Sequence, residues 1–186
     1  MTQTDATALP AASEVVAFWR DAGPRKWFVK DPAFDDEFRE RFLAAHMAAA
    51  ARRLDDWAGN AEGALALMIL LDQFPRNAFR GTGHMFATDP LARMFAERAV
   101  RDGLDRQAPA AMRPFFYLPF EHSEDLRDQA RSVALCQDLD AETVRYARIH
   151  YDIIARFGRF PHRNPVLGRE TTPEEQDFLD GGGFAG

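Results

Sequence analysis

The chain has few of the features that mark secreted, membrane-spanning or nucleic-acid-binding proteins. Its 186 residues contain one cysteine, Cys136, which excludes an internal disulfide and a zinc site built from cysteines. The longest apolar run, residues 64–71, has eight residues, whereas a membrane-spanning helix needs about 20. The net charge of −6 leaves no general basic face for nucleic acid or a membrane surface. We therefore expect neither a nucleic-acid partner nor a membrane partner.

The first 13 residues contain neither the basic region nor the apolar region of a signal peptide. Together with the lone cysteine, this predicts a cytoplasmic protein. Hydrophobic residues make up 46% of the chain, enough to build the core of one domain. We expect a flexible segment at residues 1–12, a single helical domain at 13–180 and a loose tail at 181–186.

The pattern of apolar residues predicts an all-α fold, because no segment keeps the alternation of a strand. We expect about seven to eight helices in antiparallel hairpins, with starts marked by Ser13, Asp31-Pro32, Ala61, Thr88, Ser123, Asp140 and Thr172. The second of these is expected to reach about Trp57. The apolar run at 64–71 predicts the most buried helix.

A short phrase occurs twice, as DQFPRNAFRG at 72–81 and as RFPHRNPVLG at 159–168. Each copy has Phe-Pro before an Arg-Asn pair, with a glycine four residues after the asparagine. The proline is expected to end the preceding helix, which would put the Arg-Asn pair on the following turn. Turns held by rigid helices often carry binding groups, so the phrase predicts the location of a site.

The polar residues around the two copies are of the types found in anion pockets. Arginine presents planar donors that match a carboxylate or a phosphate, and a helix start at Ser123 would attract anions. We predict binding of a small anionic ligand or a carboxylate-bearing peptide end, without a cofactor, with charge held by Arg76, Arg80 and Arg163 and orientation given by Asn77 and Asn164. The full candidate set is Asp72, Arg76, Asn77, Arg80, His122, Ser123, Glu124, His150, Arg159, His162, Arg163 and Asn164.

Other functions remain open for the same residues. The acidic segment 121–128 has the charges to pair with the arginines, so the cluster could be a structural salt-bridge network in a protein-interaction scaffold. A hydrolase or a metal-dependent enzyme would use His122 and Glu124 as base or ligands. No metal site is predicted, because no H-x-x-x-H or E-x-x-H spacing places two ligands on one helix face.

Three long phrases give the chain a family resemblance: LLDQFPRNAFRGT (70–82), YLPFEHSEDLRDQARSVAL (117–135) and IIARFGRFPHRNPVLGRETTPEE (153–175). In order and spacing they resemble the bacterial family called domain of unknown function 924, over about residues 14–180. The resemblance implies an all-helical, tetratricopeptide-like right-handed stack, and it implies no activity. Its signature positions coincide with the candidate set, so the resemblance does not separate a pocket from a structural network.

Overall fold

The computed structural model describes residues 9–185, and its regular secondary structure is helical. No β-strand occurs in that range, which confirms the all-α prediction. The α-helices there are α1 (Ala12–Ala22), α2 (Pro24–Trp27), α3 (Pro32–Ala50), α4 (Ala61–Met68), α5 (Phe74–Ala78), α6 (Asp89–Arg101), α7 (Leu118–Glu121), α8 (Leu126–Cys136), α9 (Ala141–Phe157), α10 (Asn164–Leu167) and α11 (Pro173–Asp180). They outnumber the seven to eight expected because one-turn helices such as α2, α7 and α10 interrupt the connections. Most of the predicted flexible segment 1–12, and Gly186 of the tail, lie outside the described residues.

The aromatic part of the core lies where α1 packs beside α3. Phe34, Phe38 and Phe42 are spaced four apart and share one face of α3, and each is at most 4% exposed. The Phe18 ring of α1 lies 5.2 Å from each of these rings. Truncating a phenylalanine buried in this way costs about 3–5 kcal/mol, so this contact is a main source of stability for the first half of the chain.

Helix α4 and its continuation form the centre of the molecule, with α1 and α6 packed against α4. Every residue from 64 to 71 is at most 2% exposed, which confirms the predicted buried helix. At the start of α4, a Cβ on Gly63 would overlap the backbone of Trp57. Only glycine allows the preceding turn to lie this close.

The helix does not end at the first Phe-Pro, and this prediction was wrong. Helix α4 runs through a π-helical segment, Ile69–Gln73, directly into α5. The wider π turn relieves the clash between the Pro75 ring and the carbonyl four residues earlier. Arg76 and Asn77 therefore lie within the last helical turn and not on a loop after it.

Two side chains from other elements complete the hydrogen bonding of the π segment. Pro75 has no N–H group for the Leu71 carbonyl, and the Phe74 N–H bonds to the Ile69 carbonyl, so the carbonyls of Leu70 and Leu71 lack their α-helical donors. The Leu70 carbonyl lies 2.8 Å from His46 Nδ1, and the Leu71 carbonyl accepts a hydrogen bond from the Thr88 hydroxyl at 2.6 Å. The interruption at Pro75 thus fixes this helix to α3 and to the start of α6.

The second copy of the phrase has a different backbone structure. Helix α9 ends at Phe157, and Gly158 follows it with a left-handed φ of 69°. Pro161 then begins a short 3₁₀ turn that leads into α10. A glycine ends this helix, as expected for a C-terminal cap, and the duplicated turn that the sequence predicted is absent.

Two other predicted boundaries also differ. Helix α3 ends at Ala50 and not near Trp57, because Arg52 adopts a left-handed φ of 63° before a 3₁₀ turn. Helix α8 begins at Leu126, and its cap is Asp125, whose side chain accepts a hydrogen bond from the Arg127 N–H. Ser123 is therefore not a helix cap.

The segment that was expected to be a loose tail brings Phe184 against α9. The Phe184 ring lies 4.5 Å from the His150 ring and 5.4 Å from the His162 ring. It also packs on a small second core of Ile153, Ile154 and Phe160. Phe184 therefore covers His150 and His162 on one side.

Candidate functional site

A continuous chain of five polar side chains links the two copies of the phrase. We call it the Arg76 chain, and its order is His122, Asp72, Arg76, Asp89 and Arg163. His122 Nδ1 lies 2.7 Å from Asp72, and Arg76 lies 3.2 Å from Asp72 and 2.8 Å from Asp89. At the far end, Arg163 Nη1 lies 3.6 Å from Asp89. Asp89, the first residue of α6, therefore joins the two phrases.

In the middle of the Arg76 chain, the charged groups are hydrogen-bonded to one another. Arg76 makes two parallel hydrogen bonds to Asp89, at 2.8 and 2.9 Å, and a third to the Asp72 carbonyl at 2.7 Å. The second oxygen of Asp72 accepts from Gln73 Nε2 at 2.6 Å. Burial opposes ionisation of Asp72, but Arg76 and His122 outweigh it and lower the pKa of its carboxyl. These residues form a charged structural pairing, but its carboxylates are Asp72 and Asp89 and not those of the acidic segment 121–128 that the network alternative named.

Arg163, at one end of the chain, is not matched in this way. Within residues 9–185 its side chain makes no hydrogen bond, its Nε atom is buried without a partner, and it is 7% exposed. Its guanidinium carbon lies 4.4 Å from the ring centroids of both Phe86 and Phe160. Burial and the charge of Arg76 lower the pKa of Arg163 to about 10. The group is still cationic at neutral pH, and its donors are largely unused.

His122, at the other end, uses one of its two ring nitrogens. Its Nδ1 faces Asp72, so the proton lies on Nδ1 and the lone pair on Nε2. Burial and Arg76 lower the pKa of His122, although Asp72 opposes them. The side chain is 14% exposed, so this end of the chain reaches the surface.

His150 and Glu121 lie next to His122 and add no charge. The ring centroids of His150 and His122 are 6.3 Å apart. His150 Nδ1 lies 2.9 Å from the Tyr146 carbonyl and 3.2 Å from Glu121. Burial lowers the pKa of His150 to about 3 and raises the pKa of Glu121 to about 8. Both are neutral at pH 7, so Glu121 is not a counter-ion for Arg163.

His162 also lies at this end of the molecule. Its ring centroid is 5.6 Å from that of Phe160, and its Nδ1 atom is buried without a partner. Burial and the charge of Arg163 lower the pKa of His162 to about 4. It is therefore a neutral neighbour of Arg163.

Glu124, Arg159 and Asn164 belong to closed pairings at the C-terminal end. Glu124 accepts two hydrogen bonds from Arg169, at 2.9 and 2.8 Å, and one from the Phe160 N–H at 2.9 Å. Arg159 places two nitrogens on Glu175, at 2.6 and 2.8 Å, and Asn164 Nδ2 lies 3.2 Å from the same carboxylate. These contacts tie the 159–175 segment to the rest of the fold.

Arg80 and Asn77 form a separate pairing that joins α5 to α3. Arg80 makes two hydrogen bonds to Asp35, at 2.9 and 3.0 Å, and a third to Asn77 Oδ1 at 2.8 Å. Ser123 donates to Asp128 at 2.7 Å and shapes the turn before α8. The structure thus brings together only part of the candidate set: Asp72, Arg76, His122, His150, His162 and Arg163.

Sequence reasoning missed several partners of the cluster. Asp89 was considered only through the helix start at Thr88, and Arg169 was not among the candidate residues. Nothing in the local sequence of either residue shows which arginine or carboxylate it meets, because each pairing joins elements far apart in the chain. The sequence indicated only that each buried arginine needs a carboxylate, and not which carboxylate it would meet.

No candidate residue lines the cavity between the end of α6 and α8, which has a volume of about 670 Å³. Its walls come from other residues, among them Asp105, Arg106, Arg113 and Tyr117. Within residues 9–185, no group of three or more His, Cys, Asp or Glu residues is placed to hold a metal ion. No described helix is long and apolar enough to cross a membrane.

The fold and the site define an all-helical protein with a buried chain of arginines, carboxylates and one histidine. The charged groups in the middle of this chain are paired with each other. The protein belongs to the family described as bacterial protein of unknown function (DUF924), whose model matches residues 15–183. This confirms the resemblance. The solved structure of a protein of unknown function from Agrobacterium tumefaciens is 57% identical, with a TM-score of 0.90, and the match covers 91% of this chain and 97% of that one. No curated protein matches the chain.

Proposed function

We propose that the protein binds a small anion at Arg163, the end of the Arg76 chain where a guanidinium group has no hydrogen-bonded counter-ion within residues 9–185. The observation that supports this most is the contrast with the other candidate arginines. Each of them places two nitrogens on one carboxylate: Arg76, Arg80 and Arg159. Among the described residues, the carboxylate that lies within 4 Å of Arg163 is that of Asp89, at 3.6 Å. A buried guanidinium without a hydrogen-bonded counter-ion destabilises the fold, and a bound anion offsets that cost.

The surroundings of Arg163 favour a flat or tetrahedral oxyanion. Phe86 and Phe160 stack on the guanidinium group, so the N–H groups along its edge are the part left for a ligand. Those N–H groups match two oxygens of a carboxylate, phosphate or sulfate. The neighbouring His150 and His162 are neutral at pH 7, so they add no positive charge to that of Arg163. The ligand is therefore an inorganic oxyanion or the acidic group of a larger molecule.

Thermal unfolding in sodium sulfate tests the proposal, with sodium chloride at matched ionic strength as the reference. A ligand at 100 times its Kd adds about 2.7 kcal/mol of stability. For a chain of this size that corresponds to a rise in Tm of roughly 5–10 °C. We expect this rise in the native protein and its loss in Arg163→Gln.

Arg80→Gln is the matched control, because it removes an arginine of the other phrase together with its carboxylate pairing. We expect it to lower the Tm in chloride and to keep the full rise caused by sulfate. The proposal fails if Arg163→Gln keeps the rise, or if the native protein responds to sulfate only as it responds to chloride.

The interaction-scaffold alternative has one feature in its favour. Phe28 and Val29 are 68% and 57% exposed, and adjacent exposed apolar side chains of this kind can mark a contact surface. Recovery from native lysate of one protein partner, lost on Phe28→Ser, would support this function. The tetratricopeptide-like right-handed stack and the cytoplasmic location likewise remain predictions.

A further inference from the structure

We propose that Asp72 and His122 form a general base and that His122 Nε2 is the atom that takes the proton. The proposal rests on the proposed anion site, because Arg163 would hold the acidic group of the substrate. His122 and Arg163 are the two ends of the Arg76 chain. The centroid of the His150 ring lies 6.3 Å from that of His122 and 5.5 Å from that of Phe160, which stacks on Arg163, so His150 neighbours both ends.

Asp72 fixes both the orientation and the tautomer of the His122 ring. The two groups are 2.7 Å apart, and the second oxygen of Asp72 is held by Gln73 at 2.6 Å. Asp72 is 1% exposed, so water does not compete for its oxygens. A buried carboxylate on Nδ1 leaves the lone pair on Nε2 and stabilises the imidazolium that forms on proton transfer.

His122 is also neutral and accessible, as a base must be. Burial and the charge of Arg76 lower its pKa, while Asp72 opposes them. Its side chain is 14% exposed, whereas the Nδ1 atom of His162 is sealed without a partner. His122 is therefore the histidine of the cluster that combines a carboxylate partner with a nitrogen near the surface.

The reaction that we assign is hydrolysis of a carboxylic ester that also carries a carboxylate or phosphate group. A water molecule gives a proton to His122 Nε2 while its oxygen forms a bond to the ester carbonyl carbon and the carbonyl π bond opens to an oxyanion. The oxyanion then re-forms the double bond as the bond from that carbon to the alkoxy oxygen breaks, and the leaving alkoxide takes the proton back from the imidazolium. The products are a carboxylic acid and an alcohol, and His122 returns to its neutral form.

Glu124 has no part in this step, although the sequence suggested it beside His122. Both of its oxygens bind Arg169, and one of them also accepts the Phe160 N–H. The carboxylate therefore holds the 159–169 segment in place. Asp72 takes the role of the acidic partner of His122.

Alkylation by bromoacetate tests the base without a known substrate. Bound through its carboxylate at Arg163, bromoacetate would present its methylene carbon to His122. The Nε2 lone pair forms a bond to that carbon, the carbon–bromine bond breaks and bromide leaves. Mass spectrometry of peptides gives the rate at each histidine. We expect His122 to react at least about tenfold faster than the exposed His84, because binding raises the local concentration of the reagent.

A neutral reagent, a competing anion and two variants separate the base from the anion site. Bromoacetamide has the same reactive carbon without the charge, so the ratio of the His122 rate to the His84 rate should be much smaller with it. Sulfate should protect His122 from bromoacetate. Arg163→Gln should slow the reaction with bromoacetate but not with bromoacetamide. Asp72→Asn should slow both reactions, because the amide no longer holds the lone pair on Nε2.

The outcomes distinguish the two proposals. If His122 reacts no faster than His84 while sulfate still raises the Tm, the base is overturned and the anion site stands. If His122 reacts faster with both reagents, and neither sulfate nor Arg163→Gln changes the rates, the base stands and the anion site fails. Should Asp72→Asn not fold, ¹⁵N NMR of the native protein decides the tautomer. A proton on Nδ1 and none on Nε2 at pH 7 supports the base, and any other state contradicts it.

Discussion

Glu121 is the residue that links the stability of the fold most directly to pH. Burial raises the pKa of its carboxyl to about 8, above the value of an unfolded chain. Between about pH 4.5 and 8 the folded protein therefore holds a proton that the unfolded chain has lost, so stability falls as pH rises through this range. The lowered pKa values of His122, His150 and His162 act in the opposite sense, but only below about pH 6.5.

We expect the free energy of unfolding of the native protein to fall by about 1–2 kcal/mol between pH 6.5 and pH 8. Glu121→Gln keeps a neutral side chain at every pH and should remove most of this fall. Urea unfolding at several pH values measures it, with the exposed Glu142→Gln as control. A pH profile of Glu121→Gln parallel to that of the native protein would show that Glu121 is ionised in the fold.

The residue types of the cluster were predictable from the sequence, but their pairings were not. Arg76 and Arg163 occupy corresponding positions in the two phrases, yet Arg76 has two carboxylates and Arg163 has one at a distance. The difference comes from Asp89, which lies on a third helix and orients its oxygens toward Arg76. A contact of this kind depends on how distant elements pack.

At the scale of elements, the π segment Ile69–Gln73 is the feature on which the site depends. It contains Asp72, and it leads into the helical turn that contains Arg76. The hydroxyl of Thr88 satisfies the Leu71 carbonyl that Pro75 leaves without a donor. The segment is therefore stabilised from outside the helix.

Thr88→Val tests this account, because valine keeps the shape of threonine and removes the hydroxyl. A buried carbonyl left without a donor costs about 1–3 kcal/mol, and we expect that loss in urea unfolding. Thr82→Val is the control, since Thr82 makes a similar bond to the Phe79 carbonyl at 2.8 Å on the exposed surface. Equal losses in the two variants would show that the Leu71 bond has no special role.

The helix continues through the first Phe-Pro pair but has already ended before the second. The local sequence therefore does not predict the effect of a Phe-Pro pair on the helix. At Pro75 the helix continues because His46 and Thr88 supply the missing donors and the surrounding residues are fully buried. At Pro161 the helix has already ended at Gly158, which adopts the left-handed conformation that glycine allows. Proline restricts the backbone in both places, but tertiary contacts decide whether the helix continues.

At the scale of the whole molecule, the Arg76 chain joins the two halves of the sequence. His122 precedes α8, Asp89 begins α6, and Arg163 lies in the turn after α9. The sequence correctly predicted the all-α fold, the buried helix at 64–71 and the family. It did not predict which residues of the candidate set meet, because that depends on how α6 packs against the π segment and on the position of His122 after α7.

The central claim is that Arg163 alone among the candidate arginines has donors free for a ligand. The most direct measurement is a sulfate titration followed by NMR of the arginine Nε–H signals. We expect the Arg163 signal to shift to a saturating value while the signals of Arg76, Arg80 and Arg159 stay in place. No shift at Arg163, or equal shifts at all four, would contradict this claim.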